Sequence, residues 1–179
     1  TNIFDLNRYA GTDRITSGSR IDYGIRTSIA KDDGQQSELL LAQSYRFAGS
    51  SSFGEASGLE HKKSDYIGRF TFFPNDAFNI NYRFRLDREN FSPNRVELGL
   101  NLFHPQHTMG LDYILIDEQS ETEEFGNREQ LDLKINSQLL ENWTSSLQLV
   151  QDFTDNSNRT IKASLGVTYT EECFTCILY

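Results

Sequence analysis

The sequence is poor in the features that mark most protein classes. It has no run of about 18 apolar residues, so it encodes no transmembrane helix. That leaves membrane-spanning strands open, because they signal far more weakly per segment. It has no basic excess either: 17 Lys and Arg face 26 Asp and Glu, a formal net charge of −9. With no basic stripe to neutralise phosphates, nucleic acid is not an expected partner. There are only 2 Cys and 3 His. Cys173 and Cys176 form a C-x-x-C spacing, but a zinc site usually needs a second such pair and a thioredoxin-like motif needs the start of a helix. His104 and His107 flank Pro105 without a third ligand. No G-x-S-x-G elbow frames a nucleophile. An enzyme, a metal site and a cofactor are therefore not expected.

What is present is uneven. Only 37% of residues are hydrophobic, which alone would suggest disorder, yet 12% are aromatic, with 13 Phe and 8 Tyr. A transmembrane barrel reconciles the two, because half of each strand faces lipid and half a wet lumen. The dominant pattern has period two. Phe78, Ile80, Tyr82, Phe84 and Leu86 are interleaved with Asn79, Asn81, Arg83, Arg85 and Asp87. A helix would scatter these around its circumference, whereas a strand sends one set to each side. Similar alternation runs through Val96–Leu102 in number order, through 130–139, through 160–169 (Ile161, Ala163, Leu165, Val167 and Tyr169 against Thr160, Lys162, Ser164, Gly166 and Thr168) and through 20–29. Weaker versions occupy 37–47, 64–73, 108–117 and 143–153, and a last strand starts at Phe174.

About ten strands follow, each near the ~9–11 residues a tilted spanning strand needs. Their connections alternate in length. Short ones lie near 74–77, 104–107, 140–142 and 170–172, with a looser one at 30–36. Longer ones lie near 48–62, 87–94, 117–128 and 154–159, and 2–19 would be another external loop. This is the rhythm of an outer-membrane barrel, with short periplasmic turns and longer external loops. The acidic excess falls in loops, chiefly Glu118, Glu121, Glu123 and Glu124. Binding of divalent cations there is conceivable, but a solvated loop accounts for the charges. A soluble sandwich or lipocalin-like barrel also alternates. Aromatic residues near strand ends, at Tyr66, Phe72, Phe73, Phe78, Phe103 and Trp143, favour the membrane, where such girdles form. The expected fold is all-β, an antiparallel transmembrane barrel of which about ten strands are represented. The chain begins at Thr1 and stops at Tyr179 inside an apolar run, so residues 1–179 are expected to be the C-terminal portion of a larger barrel domain, truncated at both ends.

Family resemblance enters through Ile3-Phe4-Asp5-Leu6-Asn7-Arg8-Tyr9-Ala10-Gly11-Thr12-Asp13-Arg14-Ile15. This segment resembles the lipopolysaccharide-assembly proteins (LptD, also called OstA), whose members carry a similar aromatic–Gly–x–Asp–Arg stretch. In the family a Gly- and Thr-rich strand and then a strand ending in Gln–x–Tyr–x–Phe follow. Here those are residues 19–30 and Gln43-Ser44-Tyr45-Arg46-Phe47. Near the end, Leu165-Gly166-Val167-Thr168-Tyr169-Thr170-Glu171-Glu172-Cys173-Phe174 looks like the family's Gly–Val–x–Tyr segment leading into its cysteines. Two features depart from the pattern: Glu172 stands where many members have a cysteine next to Cys173, and the family continues for further strands.

The resemblance implies translocation rather than catalysis: delivery of lipopolysaccharide into the outer leaflet of a Gram-negative outer membrane. It implies lipopolysaccharide as cargo, a lipoprotein plug (LptE-like), a periplasmic lipopolysaccharide-transport bridge and surrounding outer-membrane lipids as partners. It also implies that Cys173, at a periplasmic turn, forms a disulfide with a cysteine near the N-terminal domain, in a compartment where disulfides persist. A free thiol is the plainer alternative, and Cys176 has no counterpart in the family. A hydrated lumen would accept the polar head of the lipid, with Asn79, Asn81, Arg83, Arg85, Lys134, Asn136 and Lys162 as candidate lining residues. Arginine suits phosphate because its fork is bidentate. For each of these residues, generic lumen packing or pairing with Asp132 and Asp87 is the competing account. A porin-type channel and a soluble β-sheet binding module remain alternatives.

Overall fold

A computed structural model describes residues 19–32, 36–49, 58–117, 127–154, 158–172 and 174–178. They form one antiparallel sheet in which every strand pairs with its neighbours in sequence. The strands are β1 (Arg20–Ala30), β2 (Gln36–Arg46), β3 (Tyr66–Asn75), β4 (Phe78–Leu86), β5 (Pro93–His104), β6 (His107–Ile116), β7 (Arg128–Leu140), β8 (Trp143–Asp152), β9 (Arg159–Glu171) and β10 (Phe174–Leu178). About ten strands were expected, and ten are present among the described residues. The sheet is not closed, as in a partial barrel. Among the described residues, β1 and β10 each pair on one side only.

β1–β9 have 9–13 residues each, whereas β10 has 5. A strand of 9–13 residues is about 31–44 Å long; at a tilt near 40° it rises roughly 23–34 Å, which matches an apolar band of about 25 Å. Two ends of the sheet are distinct. Residues 76–77, 105–106 and 141–142 make tight turns at one end. The wider gaps, 47–65, 87–92, 117–127 and 153–158, lie at the other.

Register sorts the side chains completely, because directly opposed residues share a side of the sheet. One transverse row reads Phe72, Ile80, Leu100, Leu111, Leu133, Leu149 and Ala163. The next toward the tight turns reads Phe78, Leu102, Met109, Ile135, Leu147 and Leu165. Nothing packs over these rows among the described residues. Leu165 is 63% exposed and Leu102 46%, and among the described residues the only buried hydrophobics are Leu40 and Ala42. A side chain of this size left in water forfeits about 1.5–3 kcal/mol. Half a dozen of them would match the whole 5–15 kcal/mol stability of an ordinary domain. The soluble sandwich would need a second layer on this side, and the strands form a single sheet.

Aromatic rings gather at both ends of the apolar side. Trp143 meets Tyr169 with centroids 5.0 Å apart at the turn end, and Tyr66 stacks on Phe91 at 5.1 Å at the loop end. Phe103 departs from the expected girdle: it pairs with Thr108 and so belongs to the polar side. Two other boundaries differ from the sequence pattern. Pro74 lies inside β3 rather than in the turn, at a register shift between Phe72 and Asn75. A bulge is where a strand tolerates a residue that cannot donate. Another of the register shifts, between Val150 and Gln151, leaves Ile161 unpaired and turns Thr160 to the apolar side, where Gln151 Nε2 donates to its hydroxyl at 2.9 Å. The alternation expected through 160–169 therefore starts at Lys162.

Gly68 marks a close approach. The ring of its partner Phe84 lies over it, so a Cβ would fall 2.1–2.8 Å from three ring carbons. Gly68→Ala is expected to cost about 1–3 kcal/mol, read as a lower urea midpoint of the full-length protein in detergent. Adding Phe84→Leu is expected to recover most of the loss. An unchanged midpoint for the single variant would contradict the packing.

Candidate functional site

The candidate site is the polar side of the sheet. Its rows follow the same ladder. Arg69, Arg83, Glu97, Ile114, Gln130 and Asp152 form one. Thr71, Asn81, Gly99, Asp112, Asp132, Val150 and Lys162 form the next. Asn79, Asn101, Gly110, Lys134, Gln148 and Ser164 form a third. Thr108, Asn136, Ser146 and Gly166 lie closest to the tight turns, and Arg85, Arg95, Ile116 and Arg128 closest to the long loops. All seven candidate residues, Asn79, Asn81, Arg83, Arg85, Lys134, Asn136 and Lys162, thus share one side. A depression of about 500 Å³ on it is lined by residues as far apart as Asn81 on β4 and Val150 on β8. Four strand steps would span about 19 Å in a flat sheet, so this side is the concave one.

The interactions are mostly short-range pairings. Lys134 Nζ sits 2.9 Å from Asp132 and 3.7 Å from Asp112, relieving two acids that stand opposite each other. Gln148 Nε2 donates to both Asp132 oxygens at 3.1 Å, and Lys162 donates to Gln148 Oε1 at 2.7 Å. Asn81 and Asn101 both donate to Asn79 Oδ1, at 3.2 and 2.9 Å. Asn136 reaches Thr108 Oγ1 at 3.4 Å. Pairing with Asp132 therefore holds for Lys134. Among the described residues Arg85 pairs with Asp65, at 3.6 Å, rather than with Asp87. Asp87 instead accepts the backbone N–H groups of Glu89 and Asn90 at 2.8 and 3.0 Å. These two bonds, that of Asn90 foremost, hold its carboxyl below the usual carboxylate range. Exposed pairs of this kind contribute about 0–1 kcal/mol each, so they orient side chains more than they hold the sheet together.

Charge on this side runs against the protein's net acidity. Across β1–β5 its strand cations are Arg20, Arg26, Arg46, Arg69, Arg83, Arg85 and Arg95, against Asp22, Glu38 and Glu97. Arg69, Glu38 and Glu97 were not singled out from the sequence. In 66–72, Ile67 falls on the polar side and Gly68 on the apolar side, which blurs the alternation there. Strict parity counted back from Phe72 would have placed Arg69.

At the loop end, residues 58–65 fold inward over the polar side. Ser64 N–H donates to Ser44 O at 2.9 Å, Ser44 N–H to Ser64 Oγ at 2.8 Å, and Arg46 donates to the Glu60 and His61 carbonyls at 3.1 Å. Gly58, at φ +72, lies against Asp65: a Cβ there would come within 2.7 Å of its Oδ2. Asp65 is buried, and Asn94 Nδ2 donates to it at 2.9 Å. Burial pushes its carboxyl above the usual carboxylate range, against the opposing pull of Asn94 and Arg85.

His104 and His107 stack across their turn at 5.4 Å, and His104 Nδ1 accepts the Gln106 N–H at 3.3 Å. Cys176 pairs in register with Tyr169. Cys173, the acidic positions 118, 121, 123 and 124, and residues 1–18 lie outside the described residues.

The family model described as "LptD: LPS transport system D" matches residues 1–143. No curated protein matches the chain. That family handles lipopolysaccharide transport and assembly in Gram-negative outer membranes and is not a known enzyme family.

A folded-state pKa raised above the unfolded value stabilises the anchored loop fully at acid pH and less as the pH climbs through the folded value. Amide protection across 58–65, corrected for intrinsic exchange, is expected to fall as the pH rises above about 4. Asp65→Asn, which keeps the Asn94 bond, is expected to flatten that dependence. Equal slopes for both proteins would rule out Asp65 as the titrating group.

Proposed function

Because the chain belongs to the LPS transport system D family, we propose that residues 1–179 are the C-terminal part of a larger transmembrane barrel. That barrel delivers lipopolysaccharide into the outer leaflet. The observation that carries the reading is the two-sided sort: bare apolar rows for lipid, and a concave polar side for the sugar and phosphate head. An amphiphile with several acyl chains cannot bring them profitably into a hydrated lumen. The head therefore passes along the polar side while the chains reach lipid at a seam elsewhere in the barrel. Asn79, Asn81, Arg83, Arg85, Lys134, Asn136 and Lys162 line that path as hydrogen-bond and charge partners of the head.

Among the described residues β1 and β10 each leave one edge unpaired, which supports further strands in the parent barrel, since unpaired backbone is not tolerated in hydrocarbon. The tight turns then face the periplasm and the long loops the exterior. A lipoprotein plug and a periplasmic transport bridge are the partners this role requires, to fill the lumen and to supply cargo. A photoreactive side chain at Asn136 or Lys162 of the full-length protein is expected to capture lipopolysaccharide in cells, and one at Leu133 to capture membrane phospholipid. Capture of lipopolysaccharide from Leu133 alone would reverse the two sides.

Cys173 is assigned to a disulfide with a cysteine beside the N-terminal periplasmic domain, which clamps that domain to the barrel. The full-length protein is expected to shift in electrophoretic mobility on reduction, and Cys173→Ser to lose or reduce the shift. A shift identical in the variant would remove Cys173 from the clamp.

A further inference from the structure

One part of the polar side holds an arrangement that pairing within the sheet leaves unexplained. Arg69 and Arg83 stand directly opposite each other on β3 and β4, a placement in which like charges destabilise a ladder. Each is held from its outer flank by a carboxylate, Arg69 by Glu38 and Arg83 by Glu97 at 3.5 Å. Both acids are shared: Glu38 also binds Arg26 at 2.6 Å, and Glu97 binds Arg95 at 2.6 Å. Two carboxylates thus serve four guanidinium groups, and both lie outside the Arg69–Arg83 pair rather than between its members. The adjoining row adds a hydroxyl and an amide, Thr71 opposite Asn81. Arg69, Arg83, Thr71, Asn81, Gln36 and Glu38 line one depression of about 360 Å³, in which the Glu38 carboxylate is already engaged by Arg69 and Arg26. Arg83 is 59% exposed and Arg69 34%, so both are open to a ligand.

Facing side chains on neighbouring strands start from Cβ atoms about 4.5–5.5 Å apart. Two long guanidinium groups at that spacing can converge on one small anion. A single fork saturates the two oxygens of a carboxylate, whereas a phosphate offers three oxygens and nearly two charges. It can occupy two forks and still accept from Thr71 and Asn81. The lysines of the other half are less available, since Lys134 is engaged by Asp132 and Asp112, and Lys162 by Gln148. We propose that Arg69 and Arg83, with Thr71 and Asn81 beside them, form a binding subsite for a terminal phosphoryl group, borne by a monoester or by a pyrophosphate, on the polar side of β3 and β4. The identity of the phosphate's carrier, the head group of the transported glycolipid, rests on the transport reading above; the subsite itself does not.

Two arms of one experiment separate these statements. The full-length protein, purified with its partners in detergent, is titrated with inorganic pyrophosphate. It is also titrated with a phosphorylated glycolipid and the same glycolipid after enzymatic dephosphorylation. Retention of the heat-modifiable band shows that each variant is folded. The Arg69→Gln/Arg83→Gln protein is expected to bind pyrophosphate at least tenfold more weakly than the parent, with Arg83→Gln alone between them. The parent is expected to prefer the phosphorylated glycolipid, and the double variant to lose that preference. Pyrophosphate binding that is absent from the parent, or unchanged in the folded double variant, overturns the subsite. Arginine-dependent pyrophosphate binding without any preference between the glycolipids upholds the subsite and sinks the glycolipid as its carrier.

Discussion

A sheet one residue thick has two sides and no interior, and everything else in this molecule depends on that. Each strand must satisfy two environments at once, and period two is the only pattern that does so over its whole length. A compact domain can hide a misplaced residue in a core. Here the buried hydrophobics among the described residues are only Leu40 and Ala42, so stability has to come from the ladder and from whatever lies against the apolar rows. Hydrocarbon suits those rows because it competes for no hydrogen bonds, which leaves the backbone ladder intact.

The polar side is arranged by the same ladder, with electrostatics as a second layer. Opposed acids at Asp112 and Asp132 are reconciled by Lys134, and the chain of donors from Lys162 through Gln148 ends on the same carboxylate. Opposed cations at Arg69 and Arg83 are restrained only from their flanks. One half of the concave side is therefore internally neutralised and the other keeps cationic character. This contrast exists inside a chain whose net charge is −9. Across β1–β5 the polar rows carry seven arginines against three acids, so the cationic excess lies in that half.

Much of this was legible from alternation alone. The run Phe78–Leu86 is apolar at every second position and has one consistent reading, which put Asn79, Asn81, Arg83 and Arg85 on one side, and the same alternation in β7 and β9 put Lys134, Asn136 and Lys162 there too. Legibility failed where the ladder breaks step. Ile67 and Gly68 invert the hydropathy of β3 locally, because Gly68 leaves room for the Phe84 ring and Ile67 lies opposite Arg85. The bulge at Ile161 moves Thr160 to the other side, and no composition signal announces it. The contacts of Asp65 with Asn94 and Arg85 were also invisible, since they join residues 29 and 20 positions apart through polar groups that follow no period.

The sequence by itself determined the strand count, the alternation of tight turns and long loops and, away from the bulges, most of which side chains share a side, because all three follow from the two-residue repeat of extended backbone. Only the tertiary structure decided register. Register selects which charges meet across strands: Arg85 with Asp65 rather than Asp87, Lys134 between two aspartates, and Arg69 against Arg83. Those meetings depend on where each loop closes and where each bulge inserts a residue, and a shift of one position would turn every later side chain to the opposite solvent.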